Sequence, residues 1–331
     1  MSIWKKGWGL LVWMCFVAGG CATTENTYIA VKNYTQGEFY LQNEKYDDCK
    51  ARFSDTVKKY PADANAHFYL GRCYLATDQS RAALKHLKSA VVLNPGNPDH
   101  HFWQGVAYAA NGQFKSERQS YQDALTIRPD HVQSLVYLGH NRFEAGQYRL
   151  ALGDYNRALR LDPAIPQALY NRGLILRKLK RTPEEINAWL TYLNAYPNGA
   201  FAIRATRYLN AYGRFDFRNY TIGKRTLTMA QIQFDPSSAR IRKQSHATLE
   251  QLAQICQRNR SLILHIVAYQ KNNRKLAEMR AKSIKKYLRD HRRGLSGSRL
   301  KVSWFDTPET LKIGSRVHRL DSAVNFIGQI N

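Results

Sequence analysis

Apolar and polar positions in residues 64–97, ANAHFYLGRCYLATDQSRAALKHLKSAVVLNPGN, alternate at helical spacing in two short stretches. A polar turn separates them and a proline closes the second, which predicts a hairpin of two amphipathic helices. The same frame recurs on both sides. Gly37, Gly71, Gly105, Gly139 and Gly173 stand 34 residues apart, as do Pro61, Pro95, Pro129, Pro163 and Pro197. A fixed period of this size marks stacked repeats. Glycine inside a helix costs about 1 kcal/mol relative to alanine, so its recurrence predicts a close helix approach at that point. Ala83, Ala90, Ala124, Ala151 and Ala158 suit the same purpose on the second helices, with Tyr74, Tyr108, Tyr121 and Tyr155 filling larger gaps. Trp103 and Trp189 are expected in the core. Each proline ends a second helix and turns the chain into the next repeat.

The pattern changes beyond the repeats. AFAIRATRYLNAY, within residues 197–217, has helical spacing and should cap the apolar end of the stack. Residues 227–234 then alternate as a strand, 246–258 as a helix, 262–268 as a strand, 274–289 as a long amphipathic helix, and 300–305 and 322–327 as strands. This βαβαββ order predicts an α/β sandwich with helices on one face. The expected fold class is therefore multidomain, an all-α superhelix followed by a small α/β sandwich.

With 331 residues there is room for two or three domains, and 44% hydrophobic content is ordinary for a globular chain. The net charge of +25 is not ordinary. Residues 214–331 hold 24 Lys and Arg against 8 Asp and Glu, so 16 of those charges lie in the last third. Such an excess points to an anionic neighbour: nucleic acid, lipid or an acidic polymer. The first residues choose among these. Lys5 and Lys6 precede a short apolar run, residues 9–18, which is too brief to span a bilayer well. The run ends in Ala18-Gly19-Gly20-Cys21, which resembles a bacterial lipobox. That resemblance implies lipidation of Cys21. Ala22, where aspartate would mark inner-membrane retention, implies the periplasmic face of the outer membrane. A plain secretory signal or an uncleaved anchor are the alternatives. Residues 1–21 thus read as a signal peptide and 22–29 as a polar tether. This placement argues against nucleic acid as a partner. It also leaves Cys49, Cys73 and Cys256 in an oxidising compartment. Cys49 and Cys73 fall on helices expected to pack together, either as a disulfide or as two buried thiols.

Residues 30–199 hold five repeats. ALKHLKSAVVLNP, SYQDALTIRP and ALGDYNRALRLDP resemble the closing half of a tetratricopeptide repeat, and FYLGRCY and LVYLGH its opening half. Cys49, Glu117 and Glu185 stand where that family usually has alanine. The resemblance implies a superhelix that binds a protein or peptide along its first helices. By the repeat frame, Tyr34, Phe68, Phe102, Val136 and Tyr170 form a stripe on that inner face. Arg72, His140, Glu38 and Arg177 lie one turn further on. An aromatic stripe with polar neighbours suits capture of a peptide or helix; the same residues would equally serve packing between repeats.

After a capping segment at 200–219, residues 220–331 resemble the OmpA-like, peptidoglycan-associated domain. IQFDPSSARI followed by LEQLAQI is similar to that family's opening strand and helix, and NRKLAEMRAKSIKKYL to its N-x-x-L-S-x-x-R-A helix, through Asn273, Leu276, Arg280 and Ala281. The family holds diaminopimelate of peptidoglycan stem peptides, with an aspartate on the ammonium and the helix arginine on the carboxylate. Here the family's G-H/Y-T-D reads Ala268-Tyr269-Gln270-Lys271, and N-R-R-V-E reads Asp321-Ser322-Ala323-Val324-Asn325. Lys271 would repel an ammonium by ~1 kcal/mol or more at contact. The usual mode of peptidoglycan binding is thus expected to be weakened or lost, with Lys271, Asn273, Leu276 and Arg280 as the residual site. Arg274, Lys275, Lys282, Lys285, Lys286, Arg289, Arg292 and Arg293 gather along one helix, interrupted by Glu278 and Asp290. They suit carboxylates, phosphates or an acidic protein.

No nucleophile elbow, zinc-protease, dinucleotide or phosphate-loop motif is found, nor metal-ligand spacing of Cys and His. His265 is isolated, and the glycine-rich 294–298 reads as a turn. The chain therefore reads as a non-enzymatic envelope lipoprotein without cofactor or metal. It is expected to act as a scaffold or assembly factor through its repeats; the alternative is a tether between outer membrane and peptidoglycan.

Overall fold

The structure is a computed structural model that describes residues 21–291 and 297–330, with side chains from residue 32 onward. The signal segment and its Cys15, the Cys21 thiol, Arg292, Arg293 and most of the 294–298 turn lie outside the described residues. Two compact units divide between Ser134 and Leu135.

In the first unit, α1 (Cys21–Gln42), α2 (Tyr46–Lys59), α3 (Ala64–Ala76), α4 (Ser80–Leu93), α5 (Pro98–Ala110) and α6 (Phe114–Ile127) form three successive hairpins, and α7 (Val132–Glu144) begins a fourth. The stretch read as a tether is part of α1, so residues 22–29 continue the first repeat helix instead of preceding it. Each proline stands two residues past a second helix. The intervening turn is closed by backbone bonds such as Asp63 N–H to Tyr60 O and Asn97 N–H to Asn94 O. Asp63 and Asn97 then cap α3 and α5 with their side chains. The glycines do what the spacing predicts: a Cβ at Gly71 would lie 2.5 Å from Leu87, and one at Gly105 2.4 Å from Tyr121. Cys49 and Cys73 form a disulfide joining α2 to α3 inside a core that includes Phe53, Tyr69, Leu70 and Leu87.

In the second unit, α7 pairs with α8 (Tyr148–Leu161) and α9 (Pro166–Lys178) with α10 (Thr182–Ala195); α11 (Ala200–Ala211) is the expected cap. Its core holds Trp189, Tyr155, Leu193 and Leu209. Across both units, residues 44, 78, 112, 146 and 180 have positive φ of 57–72°. The turn of every hairpin is thus left-handed, although only two of the five are glycine.

The α/β part begins at β1 (Phe217–Ile222), three residues before the expected boundary, and continues with β2 (Arg225–Ala230), α12 (His246–Arg258), β3 (Leu262–Gln270), α13 (Arg274–Asp290), β4 (Leu300–Phe305), β5 (Glu309–Ile313), β6 (Arg316–Leu320) and β7 (Ser322–Ile330). The expected 227–234 strand is corrected: β2 stops at Ala230, and Phe234 makes only an isolated bridge to Ile241. Two hairpins also extend the expected βαβαββ order. β1–β2 adds to the main sheet, whose order is β2-β1-β7-β3-β4, and β5–β6 forms a separate two-stranded sheet. Both helices pack on one face, where Leu252, Ile284 and Leu288 meet Leu264, Ile266 and Phe326. Arg218 of β1 donates both terminal nitrogens to the Glu309 carboxylate of β5, at 2.7 and 2.9 Å, and both side chains are buried.

Candidate functional site

The expected inner-face stripe is mostly interior. Phe68 packs on His100 and Tyr69, and Phe102 on Tyr121 and His131. Tyr170 packs on Trp189, Tyr192 and Phe201. All three are 6% exposed, and Val136 is partly buried against the core that holds Tyr170. The reading of these as a binding stripe is corrected: the 34-residue period carries them into the seams between repeats, where large rings fill space. Tyr34 alone of the five is widely exposed, at 59%.

The residues one turn on differ among themselves. Arg72 donates to Glu38 at 2.6 Å and lies over Phe68, Tyr69 and Trp103, with the Trp103 ring centroid at 4.6 Å. It is a stacked ion pair rather than a free recognition group. His140 is exposed. Arg177 is partly exposed, lies 4.5 Å over Tyr208 and donates to the buried Glu185 carboxylate. That carboxylate also accepts from Trp189 Nε1 and the Tyr212 hydroxyl. Glu185 thus stands at a usual alanine position because three donors surround it.

One relay invites a catalytic reading. His131 faces Ser134 Oγ at 2.7 Å through Nδ1 and Asp99 at 2.9 Å through Nε2. Ser134 is 0% exposed and its own backbone N–H donates to His131 Nδ1, so the histidine caps α7 and the Ser134 hydroxyl is closed off from solvent.

In the α/β part, a cleft of about 320 Å³ opens beside Arg280, bordered by Phe215, Gln231, Phe234, Leu320 and Ser322. Arg280 is 7% exposed and lies 4.8 Å over the Phe234 ring. Its Nε donates to Ser238 O at 3.0 Å, and its Nη1 donates to Gln270 Oε1 and, at 2.7 Å, to Ser322 Oγ. Burial lowers its pKa from the ordinary guanidinium value.

The other three residues of the expected site are elsewhere, which corrects their reading. Lys271 points outward and pairs with exposed Asp321 at 3.4 Å. Asn273 caps α13 by accepting from Leu276 N–H at 2.9 Å, and Leu276 is core. Sequence reading missed Gln270 as the group facing Arg280. The one available signal was Ser322, which replaces a family arginine. The exposed cations of α13 remain on its outer face, with Lys282 on Glu278 and Arg289 on Asp290.

A family model of the tetratricopeptide repeat matches residues 34–79, 74–132 and 138–200, and the OmpA family model matches residues 233–315. The chain carries tetratricopeptide repeats and a C-terminal OmpA-family domain. Among solved structures, pilF of Pseudomonas aeruginosa is similar at 15% identity, over 58% of this chain and 88% of that one, with a TM-score of 0.53. MamA is similar at 18% identity over 48% and 93%, TM-score 0.46. YrrB, described as a TPR protein with an unusual peptide-binding site, is similar at 17% over 56% and 96%, TM-score 0.47. These likenesses are of fold alone. No curated protein matches the chain.

Proposed function

We propose that this protein is a non-enzymatic outer-membrane lipoprotein, anchored through Cys21, whose repeats hold a protein partner as a scaffold or assembly factor of an envelope machine. Its α/β domain docks rather than grips the wall. The observation that carries this reading is the state of Arg280. Gln270 and Ser322 take the position a ligand carboxylate would occupy on Nη1, and no carboxylate stands at residue 271 for a ligand ammonium. The Cys49–Cys73 disulfide supports a compartment outside the reducing cytoplasm.

A second reading, a tether that still associates with peptidoglycan, is favoured by the OmpA-family match and by the cleft beside Arg280. Sedimentation of the chain with isolated peptidoglycan at low and moderate salt separates the two. Docking predicts no binding, or binding that salt abolishes and that Arg280→Ala leaves unchanged. Salt-resistant binding lost in Arg280→Ala would put the tether first. The scaffold role itself requires an envelope complex that co-purifies with the chain and is lost on deletion of the repeats. Cys21→Ala should release the chain from the membrane fraction.

A further inference from the structure

We propose that the last repeat and its cap present a surface for an acidic peptide, which rests on the scaffold reading and names the partner's chemistry. α9 and α11 together carry Arg172, Arg177, Lys178, Arg204 and Arg207, and neither contains an aspartate or glutamate. Of the two carboxylates on α10, Glu185 is buried and accepts from Trp189, Tyr212 and Arg177, and Glu184 pairs with Arg181 at the surface. Arg177 thus keeps one carboxylate inside the fold, while Arg204 and Arg207 face solvent.

Their arrangement favours carboxylates. Arg177 lies over Tyr208, 4.5 Å from its centroid, and Tyr208 stacks at 5.2 Å on buried Trp189. Arg204 lies over Phe201, whose ring meets Tyr170 edge-on at 4.8 Å. Phe201 is 56% exposed, and Arg204 is exposed. An arginine stacked on a ring is held in orientation while its edge N–H groups stay open for bidentate contact with a carboxylate. The 34-residue frame places Arg204 where Tyr170, Phe102 and Phe68 stand in earlier repeats. The cap thus exchanges a seam-filling ring for an exposed cation at the end of the stack. Charge complementarity commits the occupant to a segment with acidic residues interleaved with apolar ones, the carboxylates meeting Arg177 and Arg204 and an apolar side chain meeting Phe201.

The test uses the full chain in detergent and fluorescence anisotropy with a labelled dodecapeptide of alternating aspartate and leucine, beside its lysine counterpart. The aspartate peptide should bind and the lysine peptide should not. Arg204→Gln, which spares the Arg177–Glu185 contact, should weaken binding about tenfold, the scale of one charge-assisted hydrogen bond. Phe201→Ala should weaken it with the charge intact. Lys285→Gln with Lys286→Gln, on the basic face of α13, should leave it within twofold. Equal binding of both peptides, indifference to Arg204→Gln, or loss in the α13 variant would overturn the proposal. Should it fall while the co-purified complex still depends on the repeats, the acidic class is wrong and the scaffold reading stands. Loss of both removes the scaffold reading as well.

Discussion

Adding one methyl group to each helix glycine separates local preference from packing. Glycine to alanine gains about 1 kcal/mol of helix propensity wherever it is made. What differs is the neighbour. Gly153 on α8 is exposed, and a Cβ there meets nothing within 4 Å. At Gly139 the Cβ would lie 3.1 Å from the Tyr155 ring, which must give by a few tenths of an ångström. At Gly105 it would lie 2.4 Å from Tyr121 Cε1, and at Gly173 2.6 Å from the Trp189 indole. Both rings are 0% exposed and have no space to retreat into. Overpacking of a filled core costs about 1–3 kcal/mol. Gly153→Ala should therefore stabilise its helix by about 1 kcal/mol and Gly139→Ala should be near neutral. Gly105→Ala and Gly173→Ala, whose Cβ would meet buried rings at 2.4 and 2.6 Å, fall at the upper end of that cost and should lose up to about 2 kcal/mol net once the propensity gain is subtracted. Hydrogen exchange of each hairpin reads these changes locally, which suits a chain of several units. Unchanged or increased protection around α5 and α6 in Gly105→Ala would refute the reasoning, because the glycine period would then have no packing cause.

Replacing Cys49 and Cys73 by alanine opens a link spanning 24 residues and should cost about 3 kcal/mol in the first repeats, read by denaturation with and without reductant. Glu309→Gln leaves Arg218 buried without its counter-charge and should cost about 3–5 kcal/mol, whereas Arg218→Met with Glu309→Leu should be close to neutral; melting of the two variants decides. His86 stands 3.1 Å from His67 and stacks on Tyr74. Burial, with the charges of His67 and Lys85, lowers its pKa to about 4. The unfolded chain takes up that proton first, so stability should fall as pH drops from about 6.5 towards 4. His86→Asn should flatten this slope in pH-dependent denaturation. Lys271→Asp should not restore peptidoglycan sedimentation, while Gln270→Ala, which removes one of the two acceptors on Arg280 Nη1, should raise it.

The repeat array was legible because its two markers are backbone requirements. A methyl group has no room at four of the five periodic glycines and little at Gly139, and each periodic proline stands beyond a helix end. The left-handed turn at residues 44, 78, 112, 146 and 180 was not legible, since Glu44, Asp78 and Lys180 carry no glycine signature there. The start of α1 was missed for a related reason. CATTENTYIAV is polar and aperiodic, and its helix is continuous with the first repeat helix rather than set by its own pattern. β1 was missed because FRNYTI is mostly buried without a strict alternation, and β6 because RVHRL is exposed along most of its length.

Sites were less legible than folds, because a periodic or aligned position fixes where a Cα lies and not what its side chain meets. Phe68, Phe102 and Tyr170 share a phase with an inner face, yet each ring turns into a seam because burial of a ring outweighs its exposure by about 1.5–3 kcal/mol. In the α/β domain the exchange of aspartate for Lys271 looked like a charge reversal inside a ligand site. Lys271 follows the last residue of β3 and leaves the site for Asp321, so its repulsion acts on solvent. The decisive substitution is the residue before it. Gln270 is still on the strand, faces Arg280 and accepts from it through a neutral oxygen where a ligand would bring a charged one. Arg280 is not opposed by a misplaced cation but satisfied by its own chain, and a partner must displace those bonds before it gains any of its own.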